Sequence, residues 1–396
     1  MNAPSPSLPD STAPARRQGR RAARREPGHG IDRTLAEWWL GVDRWSLGAL
    51  IMLAGLGTIM IFAASPAIAG RLGLDSWYFV KRHLMHLPLA LAVVLALSLL
   101  PVPALRRLGM AGFVGAFALM IATLFLGYEV KGAQRWIAVL GQSLQPSEFA
   151  KPCFTLLCAW LMARGRERPG FPGRTATIVL LAAILGILLR QPDVGMAALV
   201  AATWLMQLFL SGIALGWVVL LGALGLSGLV GAYFAFPHVA NRINRFIDPT
   251  AGDRFQVDRS LDAFASGGLF GRGPGEGIVK STLPDAHADF IFAVAGEELG
   301  LIACLLILAL YTVIVLRSLL RAMASADLFV TLAAAGLTLQ FALQALINMA
   351  STLHLIPTKG MTLPFISYGG SSLVAVAVTI GMVLGLTRLV PTDGRR

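Results

Sequence analysis

Of the 396 residues, 56% are hydrophobic and 14% are charged, against about 25% charged in an ordinary soluble domain. The apolar runs are continuous, with no polar–apolar alternation, which excludes a transmembrane β-barrel and predicts an all-α integral membrane protein. The net charge of +12 is no nucleic-acid signature, because it is divided between one tail and the loops that join the runs.

Residues 1–33 are rich in Pro, Ala, Ser and Arg, with Arg16, Arg17, Arg20, Arg21, Arg24 and Arg25 in close pairs. No apolar stretch follows closely enough for a signal peptide, so the expectation is a disordered cytoplasmic tail able to touch anionic lipid. A membrane domain over 34–390 and a short tail at 391–396 complete the chain. Ten spans are predicted, near 45–66, 84–102, 108–127, 147–163, 175–190, 194–211, 213–235, 290–316, 327–352 and 365–387. The fourth is the most polar, with Glu148 and Lys151 in its first turn. Gln191-Pro192-Asp193 separates the fifth from the sixth. Between the seventh and eighth lies a loop at 236–289, too long for a plain connection. Its Phe246, Ile247, Phe255, Leu261, Phe264 and Leu269 predict that it folds back onto the membrane face. No internal repeat stands out, which argues against an inverted-repeat transporter. Cys153, Cys158 and Cys304 fall inside apolar runs and read as small buried hydrophobes.

Arginine and lysine then orient the bundle. Placing the Arg-rich tail in the cytoplasm puts Arg106, Arg107, Arg164, Arg166, Arg168, Arg174, Arg317, Arg321 and Arg388 there too, as the positive-inside rule requires. Both termini are therefore expected in the cytoplasm and the 236–289 loop outside.

Several polar clusters fall on the outer side, each with a plain alternative. Glu148 and Lys151, three apart, can pair with each other without any ligand. Arg135 beside Trp136 reads equally as an interfacial anchor, and Gln191-Pro192-Asp193 as a kink with a capping carboxylate. Arg242, Arg245 and Asp248 open the long loop, where charges are usually solvated. Lys359 lies between Pro357 and Pro364, ahead of Ser367-Tyr368-Gly369-Gly370, and is placed to hold an anion at a helix start. The same glycines also suit close helix packing. Gly271, Gly273, Gly275 and Gly277 permit an anion-binding nest or simply flexibility, and no strand precedes them, so a dinucleotide fingerprint fails. His83 and His86 have no carboxylate or Cys partner nearby that would make a metal site. Pro284-Asp285-Ala286-His287-Ala288-Asp289-Phe290 ends the loop where water meets lipid. A carboxylate there is costly to hold and a functional candidate; if the segment is helical, Asp285 and Asp289 share a face.

The segments GAQRWI with QPSEFAK, QPDVG, RINRFIDP, GRGPGEGIVKSTLPDAHADFIFAVAGEELG and IPTKGMTLPFISYGGSS resemble, in the same order, those of the SEDS proteins of bacterial cell-wall synthesis. The resemblance covers about 43–388. Pro357-Thr358-Lys359-Gly360 and the Arg-rich tail are more similar to the division branch of that family than to the elongation branch. Asp285 and Ala288 stand where the family usually has Glu and Thr, whereas Asp289 matches.

The resemblance implies a ten-helix enzyme of the bacterial inner membrane, at the division septum, that polymerises lipid II and releases undecaprenyl diphosphate. It also implies a class B penicillin-binding transpeptidase and other division proteins as partners. The 4-hydroxyl of one sugar would attack C1 of another with inversion. Such a hydroxyl needs a base, worth about 10²–10⁴-fold, and the diphosphate needs positive charge as it leaves. Asp289 is the expected base. Lys359, Arg135, Lys280 and Arg245 are the expected cations, in that order, with Ser367 beside them and Glu148–Lys151 as a structural pair. No cofactor is implied; a bound Mg²⁺ or Mn²⁺ is an alternative source of the same charge. Two rival readings stand: a lipid II flippase using Glu148, Lys151, Glu297 and Glu298, and a scaffold that recruits the transpeptidase without chemistry.

Overall fold

The computed structural model describes residues 29–130, 133–139, 141–248 and 255–389. Ten helices fall on the ten expected stretches: α2 (Arg44–Arg71), α3 (Tyr78–Leu99), α4 (Val102–Leu126), α5 (Pro146–Glu167), α6 (Gly173–Arg190), α7 (Val194–Leu210), α8 (Leu215–Ala235), α11 (Ile291–Met323), α12 (Leu328–Thr352) and α13 (Gly370–Leu386). Seven are long and apolar enough to cross a bilayer, while α7 and α13 are apolar but shorter. The first turn of α5, with Glu148 and Lys151, makes it the polar exception. Helix α1 (His29–Gly41) precedes the bundle, so the chain is already helical within the stretch expected as tail; residues 1–28 and the expected tail at 391–396 lie outside the described residues.

Side-chain caps set several helix starts. Asp43 accepts from Trp45 N at 3.2 Å to begin α2, Asp193 from Met196 N at 3.2 Å to begin α7, and Asp327 from Phe329 N at 2.8 Å to begin α12. One apolar core gathers α2, α3, α11, α12 and α13, with Ala263 of the 236–289 loop, around Leu50, Met60, Phe79 and Phe365; a second gathers α4–α7 around Leu105, Phe154 and Leu188. Helices α12 and α13 contribute to both. By contrast, α8 buries only Ala232.

A small antiparallel sheet, absent from the sequence expectations, joins α4 to α5. Its strands β1 (Tyr128–Val130), β2 (Ala133–Val139) and β3 (Gln142–Leu144) lie in that order, with Ile137 opposite Leu144. Gln134 Nε2 donates to the Gly127 carbonyl at 2.7 Å and holds β2 against the end of α4.

The 236–289 loop carries α9 (Pro237–Ile247), α10 (Phe255–Gly267) and a 3-10 turn at Val279–Ser281. It is sewn into α11. That helix breaks at Gly300 (φ 78°, ψ −176°), and the freed N–H groups of Leu301 and Ile302 donate to the carbonyls of Gly268 and Leu269 at 3.0 and 3.3 Å. The freed carbonyls of Glu297 and Glu298 accept from Arg272 N and Gly273 N at 3.0 and 2.9 Å. A break inside a membrane helix persists because the loop satisfies the backbone groups it exposes. Two of the alternate glycines therefore belong to this seam, Gly273 through its N–H and Gly271 by close approach. A methyl group on Gly271 would stand 2.1 Å from the Glu298 carbonyl oxygen, so glycine is needed for two backbones to meet.

Candidate active site

A cleft of about 560 Å³ opens among the ends of α3, α5, α7, α9, α11 and α13 and the sheet. One wall is the loop after α12, residues 358–362; another is the turn before α11, which contributes Asp285, His287 and Asp289.

That turn is not helical. Asp285 has φ 52°, its carbonyl accepts from Ala288 N and Phe290 N at 2.9 and 3.3 Å, and α11 begins only at Ile291. The helical face expected for Asp285 and Asp289 is thus corrected to a tight turn that still delivers both side chains to the cleft. Asp289 runs beside the Lys359-Gly360 segment: a methyl group on Gly360 would stand 3.2 Å from Asp289 Oδ2. Both Lys359 and Arg135 line the same space.

These two cations converge on one carboxylate. Asp193, at 2% exposure, takes Lys359 Nζ on Oδ1 at 2.9 Å and Arg135 on Oδ2 at 3.4 Å. Arg135 also donates to the carbonyls of Gln191 and Pro192 at 3.2 and 3.0 Å. Burial pushes the Asp193 carboxyl upward, but Lys359 and Arg135 outweigh it and hold the group below its ordinary value. The QPDVG segment is therefore both a helix cap and the anchor of the cationic wall.

Glu148 lines the cleft and pairs with Lys151 at 2.8 Å, as its spacing predicts. Lys151 Nζ also donates to Gln344 Oε1 at 3.0 Å. Two expected ligand contacts are corrected. Lys280 is buried, donates to the Gly275 carbonyl at 2.9 Å and pairs with Glu298, so its charge is directed away from the cleft. Ser367 is buried as well; its Oγ donates to the Ala288 carbonyl at 2.6 Å and accepts from Leu363 N at 2.7 Å, which fixes the Asp289 turn without touching the cleft. The side chain of Arg245 lies outside those described.

Arg82 and His86 line the cleft unanticipated. Four apart on α3, they share a helix face, and that was the available signal. The guanidinium of Arg82 lies 5.0 Å from the Tyr78 ring centre. His86 Nδ1 meets the Arg82 carbonyl at 2.6 Å, so Nδ1 carries the proton and Nε2 faces the start of α13, 2.8 Å from where a methyl group on Gly370 would stand. Among the described residues, no three His, Cys, Asp or Glu converge as a metal site.

Fold and cleft together define a multi-pass helical membrane protein with a carboxylate and several cations gathered at the helix ends of one face. The chain belongs to the FtsW/RodA/SpoVE family, described as cell cycle protein, whose family model matches residues 44–390. It is 44% identical over 362 residues to a probable peptidoglycan glycosyltransferase FtsW of Caulobacter vibrioides, covering 91% of this chain and 93% of the relative. A protein of the same name from Trichlorobacter lovleyi is 34% identical over 87% of this chain and 94% of its own length. Among solved structures, a chain of a peptidoglycan synthase complex superposes with a TM-score of 0.74 at 26% identity, covering 90% of this chain and all of that one. The rod shape determining protein RodA of Thermus thermophilus gives 0.66 at 26% identity, over 90% and 99%.

Proposed function

We propose that this chain is a peptidoglycan glycosyltransferase that polymerises lipid II, with Asp289 as general base. The observation that carries the reading is the Asp289 carboxylate lying against Gly360, beside Lys359, in a cleft shared with Arg135. The acceptor's 4-hydroxyl oxygen forms a bond to C1 of the donor sugar while its proton passes to Asp289. The C1–O bond to the diphosphate breaks, and undecaprenyl diphosphate leaves with the electron pair from the opposite face. Lys359 and Arg135 stand where negative charge grows on that leaving group. Both are already held by Asp193, so they meet the developing charge without having to reorganise.

The names of the relatives support this activity, and the complex whose chain superposes supports a crosslinking partner, which we read as a class B penicillin-binding transpeptidase. Ten crossings, cytoplasmic termini and a septal location complete the proposal. The flippase reading loses two of its transport charges, since Glu297 and Glu298 are fully buried. Glu297 accepts from the N–H groups of Ile278, Val279 and Lys280 at 2.6, 2.7 and 2.9 Å, and Glu298 is paired with Lys280.

Asp289→Asn keeps size and polarity but cannot take the proton. With purified protein, partner and lipid II, this variant is expected to lose glycan synthesis by about 10²-fold or more while still binding lipid II. Near-normal synthesis by Asp289→Asn would remove the base from this reading, and lipid II left unpolymerised by the wild-type complex would remove the activity itself.

A further inference from the structure

Asn348 sits on α12 at 1% exposure, and it does not line the cleft. Its amide nitrogen has two hydrogens to donate. It donates to the carbonyl of Asp289 at 2.9 Å and to the carbonyl of Met361 at 2.5 Å. The first carbonyl belongs to the residue read above as the base. The second follows directly on Lys359-Gly360. A single side chain thus clamps together two segments that are far apart in sequence and carry the two opposite charges of the cleft.

One turn earlier on the same face, Gln344 repeats the arrangement. Its Nε2 donates to the Thr362 carbonyl at 3.2 Å and to Thr362 Oγ1 at 3.3 Å, while its Oε1 accepts from Lys151. The polar face of α12 therefore connects the Glu148–Lys151 pair, the 359–362 loop and the Asp289 turn. Polar side chains in the interior of a membrane helix are expensive to retain unless they do such work.

We propose that Asn348 is a positioning residue that sets the separation of Asp289 from the Lys359-Gly360 segment. The inference rests on the reading of Asp289 as base. Asn348 reaches only backbone carbonyls, so it acts through the two loops and not on substrate. A shift of about 1 Å in a reacting group costs on the order of 10²-fold in rate, whereas loose binding of a large lipid-linked substrate tolerates the same shift.

The test uses the full chain with its transpeptidase partner and lipid II, scored per mole of folded protein. Asn348→Leu removes both donors, Asn348→Asp exchanges them for acceptors, and Asn348→Ser keeps one. Asn348→Leu and Asn348→Asp should lower kcat by about 10–100-fold with KM for lipid II within about threefold. Asn348→Ser should recover part of the loss. A merely structural residue would lower the yield of folded protein and leave kcat per folded molecule alone, and that result overturns the proposal. A raised KM at unchanged kcat overturns it too, because it assigns Asn348 to binding. Should Asn348→Leu not fold, the order of wild type, Ser and Asp decides by the same criteria. A wild-type complex that does not polymerise lipid II sinks the proposed function; equal kcat in wild type and variants sinks only the clamp.

Discussion

Glu148 and Lys151 stand one turn apart at the start of α5, 2.8 Å from each other, with side chains 9% and 3% exposed. Removing one member of a buried pair strands the other and costs about 3–5 kcal/mol. Lys151 would keep Gln344 Oε1 as a neutral acceptor, which places Glu148→Ala at the lower end of that range. The expected outcome is a clear fall in the thermal midpoint of the detergent-solubilised protein, together with lost activity. An inactive variant with wild-type stability would instead move Glu148 into the chemistry of the cleft that it lines. Asp193 makes a different prediction, through pH. Its carboxyl is held below the ordinary 3.8 by Lys359 and Arg135 against the upward push of burial. The stabilisation it brings is therefore complete above about pH 4 and lost as pH falls through its lowered folded value. Melting curves of wild type and Asp193→Asn should differ by a constant amount from about pH 5 to 8 and converge in acid. A gap that widened below pH 4 would mean that the group is not ionised in the fold.

Helix α11 is an element whose sequence does not announce its shape. Gly300 lies inside an apolar run that reads as one span, yet the backbone there is left-handed and the helix breaks. A methyl group at Gly300 would stand 2.3 Å from Gly271 N and 2.5 Å from the Leu269 carbonyl oxygen. Gly300→Ala should cost about 1–3 kcal/mol through this overpacking and release the 268–281 segment from the helix. Limited trypsin digestion reads this directly, because Arg272 lies in the released segment. Faster cleavage there with the remaining helices resistant is expected, and unchanged cleavage would show that the seam is not what holds the loop. The helical stretches were legible in the sequence because twenty apolar residues in a row have few alternatives. Asp289, Lys359 and Arg135 were legible because charges are rare at such positions. The seam, the β1–β3 sheet and the inward turn of Lys280 were not, since each depends on which distant backbone lies opposite. Lys280 shows the limit well: its spacing from the Asp289 turn is suggestive, but Glu298, eighteen residues on, captures it.

At the scale of the whole molecule, the cations sort into two groups by the end of the bundle they occupy. At the end of the bundle away from the cleft, Arg317 donates to both carboxylate oxygens of Asp43 at 2.8 Å, and Arg321 donates to the Gly41 carbonyl at 3.0 Å. Arg166 and Arg388 likewise donate to carbonyls at helix C-termini, those of Ser211 and Leu99 at 3.1 and 3.2 Å, where positive charge suits the helix dipole. These arginines serve the fold, and the orientation proposed above puts them on the cytoplasmic side. Arg135 and Lys359 sit at the other end and line the cleft. A polymerase acting on lipid-linked sugars outside the cell needs that second end to face outward, and α10 with it. The native cysteines are all buried, so a new thiol can be read against a silent background. Ala265→Cys, exposed on α10, should react with a membrane-impermeant maleimide in intact spheroplasts. A cysteine at exposed Glu167, beside the Arg164–Arg168 cluster, should react only after the membrane is opened. The reverse pattern would turn the molecule over, place the cleft in the cytoplasm and overturn the orientation proposed above.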